Sequence, residues 1–173
     1  MSKLTHINPL FMARAAFTGC LVMAGGLCFP GTAGAITPGP TTAVVKSVDD
    51  PASLDAKRLY ALGMIETGND DRAVGAAGEV SRYQLSPPVW KSYSKSVEYQ
   101  NPGIALQVAR LHWAYLAAYF KEKNGHMPDD YDMYVMWNTR FGYYAHKGFS
   151  KRTISPVVQD RAQRFVNLVR RKD

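Results

Sequence analysis

Cysteine is nearly absent from this 173-residue chain, which has two, Cys20 and Cys28. Both lie in the first 35 residues, a segment that we interpret as a cleaved export signal. A mature chain beginning after Ala35 would contain no cysteine, which excludes disulfides, zinc–thiolate sites and cysteine nucleophiles. Its stability must then come from an ordinary hydrophobic core, and the remaining 173 − 35 = 138 residues are enough to form one.

The chain also lacks an apolar run long enough to cross a bilayer comfortably. Residues 15–29 are largely apolar, but a spanning helix needs about 20 such residues. Lys3 and Arg14 place positive charge ahead of this run, and 33–35 (Ala-Gly-Ala) has the small-x-small pattern of a signal-peptidase site. Residues 1–35 therefore predict export to the periplasm or the medium, without stable membrane insertion after cleavage.

Acidic residues are outnumbered, with 14 Asp and Glu against 21 Lys and Arg, a net charge of +7. The signal carries two basic residues and no acidic one, so the mature charge is +7 − 2 = +5. A basic exported domain suits an anionic partner, such as the peptide carboxylates of a cell wall. Nucleic-acid binding would need basic side chains clustered on one face among aromatics. The one dense basic stretch, from Arg161 to Lys172, instead predicts a solvated helix face, so we expect no nucleic-acid partner.

Helical periodicity dominates the second part of the chain. Residues 36–50 have little apolar periodicity and predict a flexible leader, whereas 51–173 predict one mainly α-helical domain. Residues 69–88 contain glycine and proline but little helical pattern, which predicts a small irregular or β-hairpin region after the first helix. Nothing in the sequence demands more than a monomer.

Capping residues indicate where the helices begin and end. Ser53, Asn101 and Ser155 are suitable N-caps, and Gly68 and Gly125 follow two of the helical segments. The pattern predicts four helices, at 54–66, 102–124, 128–137 and 156–169.

Glu66 ends the first predicted helix on its apolar stripe, which contains Leu59, Leu62 and Gly63. A carboxylate on such a stripe is either paired or desolvated, and a desolvated carboxyl holds its proton to higher pH. That property suits an acid that protonates a glycosidic oxygen. Gly63, one turn earlier, would leave room for a ligand. Alternatively, Glu66 swings into solvent at a fraying helix end or pairs with Arg72.

A spaced set of residues around Glu66 favours the chemical interpretation. Thr67 follows it directly, Gln84 comes 84 − 66 = 18 residues later, and Trp137-Asn138 stands late in the domain. This order resembles the signature of the soluble lytic transglycosylase domain and its goose-type lysozyme relatives. In that family a Glu-Ser pair ends a helix and is followed by a glycine-rich loop, a Gly-x-x-Gln, and later an aromatic-Asn motif.

The resemblance covers about residues 54–169, with some departures from the family pattern. Ser81 replaces the glycine of the Gly-x-x-Gln, and Arg82-Tyr83 replace its apolar pair. Gly75 stands where a small hydroxyl is often found. These departures concern contacts with substrate more than they concern Glu66.

The resemblance implies an α+β lysozyme-like fold with a cleft for an extended peptidoglycan strand, and no cofactor. Glu66 would protonate the oxygen between N-acetylmuramic acid and N-acetylglucosamine and then act as a base, giving a 1,6-anhydro product. Gln84 and Asn138 would hydrogen-bond the sugar or orient Glu66. Substrate contacts would also come from the Thr67 hydroxyl and from stacking faces on Tyr83, Tyr134 and Trp137.

Two other functions remain open. A lysozyme-type hydrolase of the inverting kind needs a second carboxylate to activate water, and Asp70, Asp71 and Glu79 are the candidates. A glycan-binding module that has lost turnover is the non-enzymatic alternative. No metal is expected, because the histidines lack ligand spacing such as His-Glu-x-x-His.

Overall fold

The computed structural model describes Asp50 and residues 52–171 of the chain. The predicted signal and, apart from Asp50, the predicted leader lie outside these residues. No helix in this part of the chain combines the length and the apolar character that crossing a bilayer requires.

The described residues form a mainly α-helical fold, as predicted. Its elements are α1 (Ala56–Thr67), α2 (Pro87–Lys91), α3 (Pro102–Asn124), α4 (Asp130–Asn138), α5 (Tyr143–His146), a 3₁₀ turn (Lys151–Thr153) and α6 (Pro156–Arg170). The predicted hairpin region carries only isolated antiparallel bridges in the described range, from Val80 to Val74 and to Leu85. Sequence patterning missed α2 and α5, because helices of four or five residues are too short to show a period.

Local capping chemistry explains most helix ends. The Asn101 side chain accepts hydrogen bonds from the first backbone N–H groups of α3, and Ser155 does the same for α6. Gly68, with φ of 70°, and Gly125, with φ of 78°, end α1 and α3 in the left-handed conformation that glycine adopts without strain. Asp129 and Asp132 form a reciprocal capping box at the start of α4.

The predicted N-cap of α1 was wrong by two residues. The side chain of Asp55, and not that of Ser53, accepts the hydrogen bond from the Arg58 backbone N–H, at 2.9 Å. The Arg58 guanidinium selects this register because it is buried against the same turn. It donates to the Asp55 and Asp130 carboxylates at 3.0 and 2.7 Å, and to the carbonyl of Ser53 at 3.1 Å. Arg58 thereby ties the start of α1 to the start of α4.

The core lies between α4 and its neighbours. Helix α6 packs against both α1 and α4, and α3 packs against α4. Trp113 of α3 is fully buried, with its ring 6.0 Å from that of Trp137 and 5.9 Å from that of Phe165. Trp137 in the last turn of α4 lies on this aromatic core. A hydrogen bond from Tyr134 of α4 to Glu66 in the last turn of α1 then joins the two helices at the site.

Candidate active site

An open cleft of about 630 Å³ runs between the loop after α1, helix α3, the end of α4 and helix α6. Its lining includes four of the site residues predicted from the sequence: Glu66, Gln84, Trp137 and Asn138. It also includes the loop residues Gly75 and Glu79, and further side chains that the sequence interpretation did not select.

Glu66 is almost completely enclosed by its neighbours, with 6% of its side chain exposed. The Tyr134 hydroxyl donates a hydrogen bond to Glu66 Oε1 at 2.6 Å. The Asn138 side chain is a second neighbour that lowers the pKa of this carboxyl. Arg161 Nη2 lies 3.7 Å from Glu66 Oε2. Glu66 therefore neither swings into solvent nor pairs with Arg72.

Burial raises the pKa of Glu66 above its ordinary value. The hydrogen bond from Tyr134, the Asn138 side chain and the charge of Arg161 act in the opposite direction, because they stabilise the carboxylate. The negative charge of Glu79 adds a smaller upward contribution. A carboxyl that keeps its proton to higher pH, but has partners for its ionised form, suits reversible proton transfer.

Tyr134 supports Glu66 from beneath the cleft. Its side chain is 0% exposed, and its ring packs 5.3 Å from Phe165. Burial and the adjacent Glu66 carboxylate raise the pKa of Tyr134, so its hydroxyl remains a donor. The expectation that Tyr134 offers a stacking face to sugar was wrong, because its ring has no accessible face.

Trp137 and Asn138 reach the cleft from the last turn of α4. Trp137 is half-buried, and its Nε1 donates to the Tyr83 carbonyl at 3.1 Å, which fixes the indole against the loop after α1. Tyr83 itself is 5% exposed and does not line the cleft, so its ring is also no stacking face. Its backbone, rather than its ring, contributes to the site.

Thr67 does not line the cleft, and its hydroxyl instead contacts the loop after α1. Its hydroxyl lies 3.0 Å from the Arg82 carbonyl and accepts a hydrogen bond from the Asp70 backbone N–H at 3.1 Å. This hydroxyl joins the end of α1 to both ends of the loop that follows. Thr67 therefore holds the loop beside Glu66, and the sequence motif located it without indicating that task.

Gln84 lies in the lining on a strained backbone, with φ of 50°. Its Nε2 donates to the Ser81 carbonyl at 3.1 Å. A Cβ atom added at Gly75 would overlap the side-chain oxygens of both Gln84 and Glu79. Glycine at 75, which departs from the family pattern, is therefore what allows these two side chains to close on the loop.

The space above Gly63 is occupied. A Cβ atom added there would overlap the Asn69 side chain, whose backbone has a positive φ of 67°. The expectation that Gly63 leaves room for a ligand was wrong: it leaves room for Asn69, folded back onto the helix.

The three candidate second carboxylates lie in different surroundings. Asp70 accepts a hydrogen bond from the Arg72 backbone N–H at 2.9 Å and forms a turn. Asp71 forms a two-pronged ion pair with Arg82. Glu79 lines the cleft and accepts a hydrogen bond from the Ala77 backbone N–H at 3.1 Å. Glu79 alone among these three is placed to act on a ligand of the cleft.

Arg161 lies beside Glu66 in the cleft, and the sequence interpretation did not select it. The predicted solvated face was wrong for this residue, which is partly buried, lines the cleft and donates from Nη2 to the Ile65 carbonyl at 3.3 Å. The signal was present in the sequence. Arg161 lies three residues after Val158 and four before Phe165, both on the apolar stripe of α6.

His112 lines the cleft from α3, and its ring lies 5.3 Å from that of Trp137. Burial lowers the pKa of His112 to about 4, so the ring is neutral near pH 7. Its Nδ1 lies 3.2 Å from the Tyr93 hydroxyl. Within the described residues, no group of three or more His, Cys, Asp or Glu side chains is placed to hold a metal ion.

Comparison of the chain with protein-family models, with curated proteins and with solved structures gave no match.

Proposed function

We propose that this chain is an exported lytic transglycosylase of lysozyme-like fold that cleaves peptidoglycan strands, with Glu66 as acid and then base. One observation carries the proposal: a nearly enclosed carboxyl with raised pKa lies in the wall of an open cleft. The motif order of Glu66, Gln84 and Trp137-Asn138 supports it, since all three motifs line that cleft.

The proposed reaction needs one carboxyl and no added water. Glu66 donates its proton to the glycosidic oxygen as the bond from that oxygen to the muramyl C1 breaks. The resulting carboxylate accepts the proton of the muramyl 6-hydroxyl, whose oxygen bonds to C1. Between these steps Glu66 is ionised, and Tyr134, Asn138 and Arg161 stabilise that form.

Glu79 is the observation that favours a second candidate, an inverting hydrolase. Its position in the lining would allow it to activate a water on the opposite side of the sugar. In that case Glu66 remains the acid, but water and not the 6-hydroxyl supplies the nucleophile.

Digestion of purified peptidoglycan by the exported chain tests both candidates. We expect soluble fragments whose masses are lower than those of hydrolytic fragments by one water, and we expect Glu79→Gln to leave the product unchanged. The hydrolase would be established by two results together: wild-type fragments that contain the added water, and loss of activity in Glu79→Gln. An absence of fragments with the wild-type chain would contradict both enzymes and favour a binding module.

Arg161→Gln should move the pH profile of cleavage. Removing the guanidinium destabilises the Glu66 carboxylate, so the pKa of Glu66 rises further and the alkaline limb of kcat/KM moves to higher pH. We also expect the plateau to fall about tenfold, which corresponds to ~1.4 kcal/mol, because the ionised intermediate loses a partner.

Arg161→Lys keeps the charge, so the alkaline limb of its kcat/KM profile should lie close to that of the wild type. Arg170→Gln, which removes an exposed arginine of the same helix outside the cleft lining, is the matched control. If the alkaline limb of kcat/KM did not move in Arg161→Gln, this guanidinium would not act on the proposed catalytic carboxyl.

A further inference from the structure

An aromatic ring is exposed at the mouth of the cleft, where no predicted site residue stands. Phe141 lines the cleft and is 61% exposed. It lies in the segment between α4 and α5, three residues beyond Asn138. A phenyl ring left in water has a hydration cost that a ligand would relieve.

This ring is held in place by helix α3. The centroid of Phe141 lies 4.8 Å from that of Tyr119 and 5.7 Å from that of Tyr115, whose ring is inclined by 28° to it. Tyr115 is itself 46% exposed and stacks at 6.3 Å on His112, which lines the cleft. A row of rings therefore continues from the cleft wall to its rim, and its fixed members need little ordering on binding.

A cation stands beside the exposed ring. Arg140 precedes Phe141, lines the same cleft and is exposed. No ion pair involves Arg140 among the residues that the structure describes, whereas Arg58, Arg82 and Arg161 each lie beside a carboxylate. The rim thus offers an apolar face for a ring and an unused positive charge for an anionic group.

We propose that Arg140 and Phe141 form an outer subsite that binds a carboxylate-bearing sugar of the strand. The apolar face of the sugar stacks on Phe141, and the sugar's lactyl or peptide carboxylate pairs with Arg140. The subsite rests on the proposed function for the identity of the strand, and it adds a preference for muramyl-containing glycan over neutral chitin. A protein partner fits the rim less well, because Arg140 and Phe141 line the same open cleft as Glu66, which suits an extended strand.

Binding measured without turnover tests the subsite. In a Glu66→Gln background, calorimetry would compare soluble peptidoglycan strands with chitin hexasaccharide, which has no carboxylate. We expect Phe141→Ala to weaken binding of both glycans about threefold to tenfold, through loss of stacking. We expect Arg140→Gln to weaken binding of peptidoglycan strands by a similar factor and to leave chitin binding unchanged.

Three control variants separate stacking and charge from general damage. Phe141→Tyr keeps an aromatic face and should bind as the unsubstituted background does, whereas Tyr60→Ala removes an exposed ring on α1 outside the cleft lining and should have no effect. Lys147→Gln removes an exposed charge that follows Phe141 in the sequence and lies outside the cleft lining, and it should also have no effect.

The outcomes distinguish the subsite from the enzyme. Equal affinities in Phe141→Ala and the background, or no measurable binding of either glycan, would overturn the subsite. Equal weakening of chitin and peptidoglycan by Arg140→Gln would overturn the carboxylate preference. Selective effects on binding, combined with no cleavage by the wild-type chain, would support the subsite while contradicting the proposed reaction.

Discussion

Glu66→Gln should lower the rate of peptidoglycan cleavage by about 10²–10⁴-fold, the range expected for loss of a general acid. Glutamine keeps the shape of the side chain and can still accept the hydrogen bond from Tyr134, but it has no proton to transfer. Release of soluble fragments from purified wall material measures the loss.

Glu122→Gln is the matched control for this variant. Glu122 is exposed at the end of α3, where it pairs with Lys123 at 2.8 Å, away from the cleft lining. We expect its activity to equal that of the wild type. Equal activity in Glu66→Gln would instead remove Glu66 from the mechanism.

The same Glu66→Gln substitution should stabilise the fold. Because the folded-state pKa of Glu66 is raised, the folded chain holds this proton more tightly than the unfolded chain does. Its contribution to stability is therefore most favourable at low pH and is lost as pH rises through the folded-state pKa. Glutamine abolishes this cost of ionisation, and at neutral pH we expect a gain of roughly 0.5–2 kcal/mol. A lower unfolding midpoint in the variant would contradict the desolvation argument.

Arg58→Ala should have the largest effect on stability, a loss of about 3–5 kcal/mol in the free energy of unfolding. Arg58 is buried and pairs with Asp55 at 3.0 Å and Asp130 at 2.7 Å. Truncation leaves both carboxylates with less compensation. It also removes the guanidinium donor from the carbonyls of Ser53 and Asp50, of which Asp50 keeps the hydrogen bond from the Ser53 backbone N–H. Urea unfolding followed by circular dichroism measures the change.

Two further variants, Arg164→Ala and Arg58→Met, are the controls for the loss of stability expected in Arg58→Ala. Arg164 is exposed on α6, so its truncation should alter stability by less than about 0.5 kcal/mol. Methionine at 58 replaces the aliphatic stem but not the charge, so it separates packing from ion pairing. A loss below about 1 kcal/mol in Arg58→Ala would show that the link between α1 and α4 contributes little to the fold.

The ends of several helices could be predicted because the information is local. Asn101 and Ser155 each cap the helix that follows them, and Gly68 adopts the left-handed conformation that ends α1. The start of α1 could not be predicted in this way. Ser53 and Asp55 are both good N-caps, and the choice between them depends on Arg58, whose partner Asp130 is 72 residues away in sequence.

In the candidate site, too, the features that depend on local sequence could be predicted and those that depend on contacts between distant segments could not. Glu66, Gln84 and Asn138 were selected by motif spacing, and they do line one cleft. The burial of Tyr134 and the filling of the space above Gly63 by Asn69 depend on contacts between segments, which periodicity does not encode. Arg161 shows a different limit: its place on an apolar stripe was visible, but its charge suggested solvent.

The most direct test of the central claim is the titration of the Glu66 carboxyl carbon, followed by ¹³C NMR in the intact chain and assigned with Glu66→Gln. We predict a midpoint above the ordinary value for glutamate, because burial outweighs the stabilising contacts from Tyr134, Arg161 and Asn138. A midpoint at or below the ordinary value would contradict the account. Glu66 would then be ionised near neutral pH and would not be the proton-holding acid that the proposed cleavage requires.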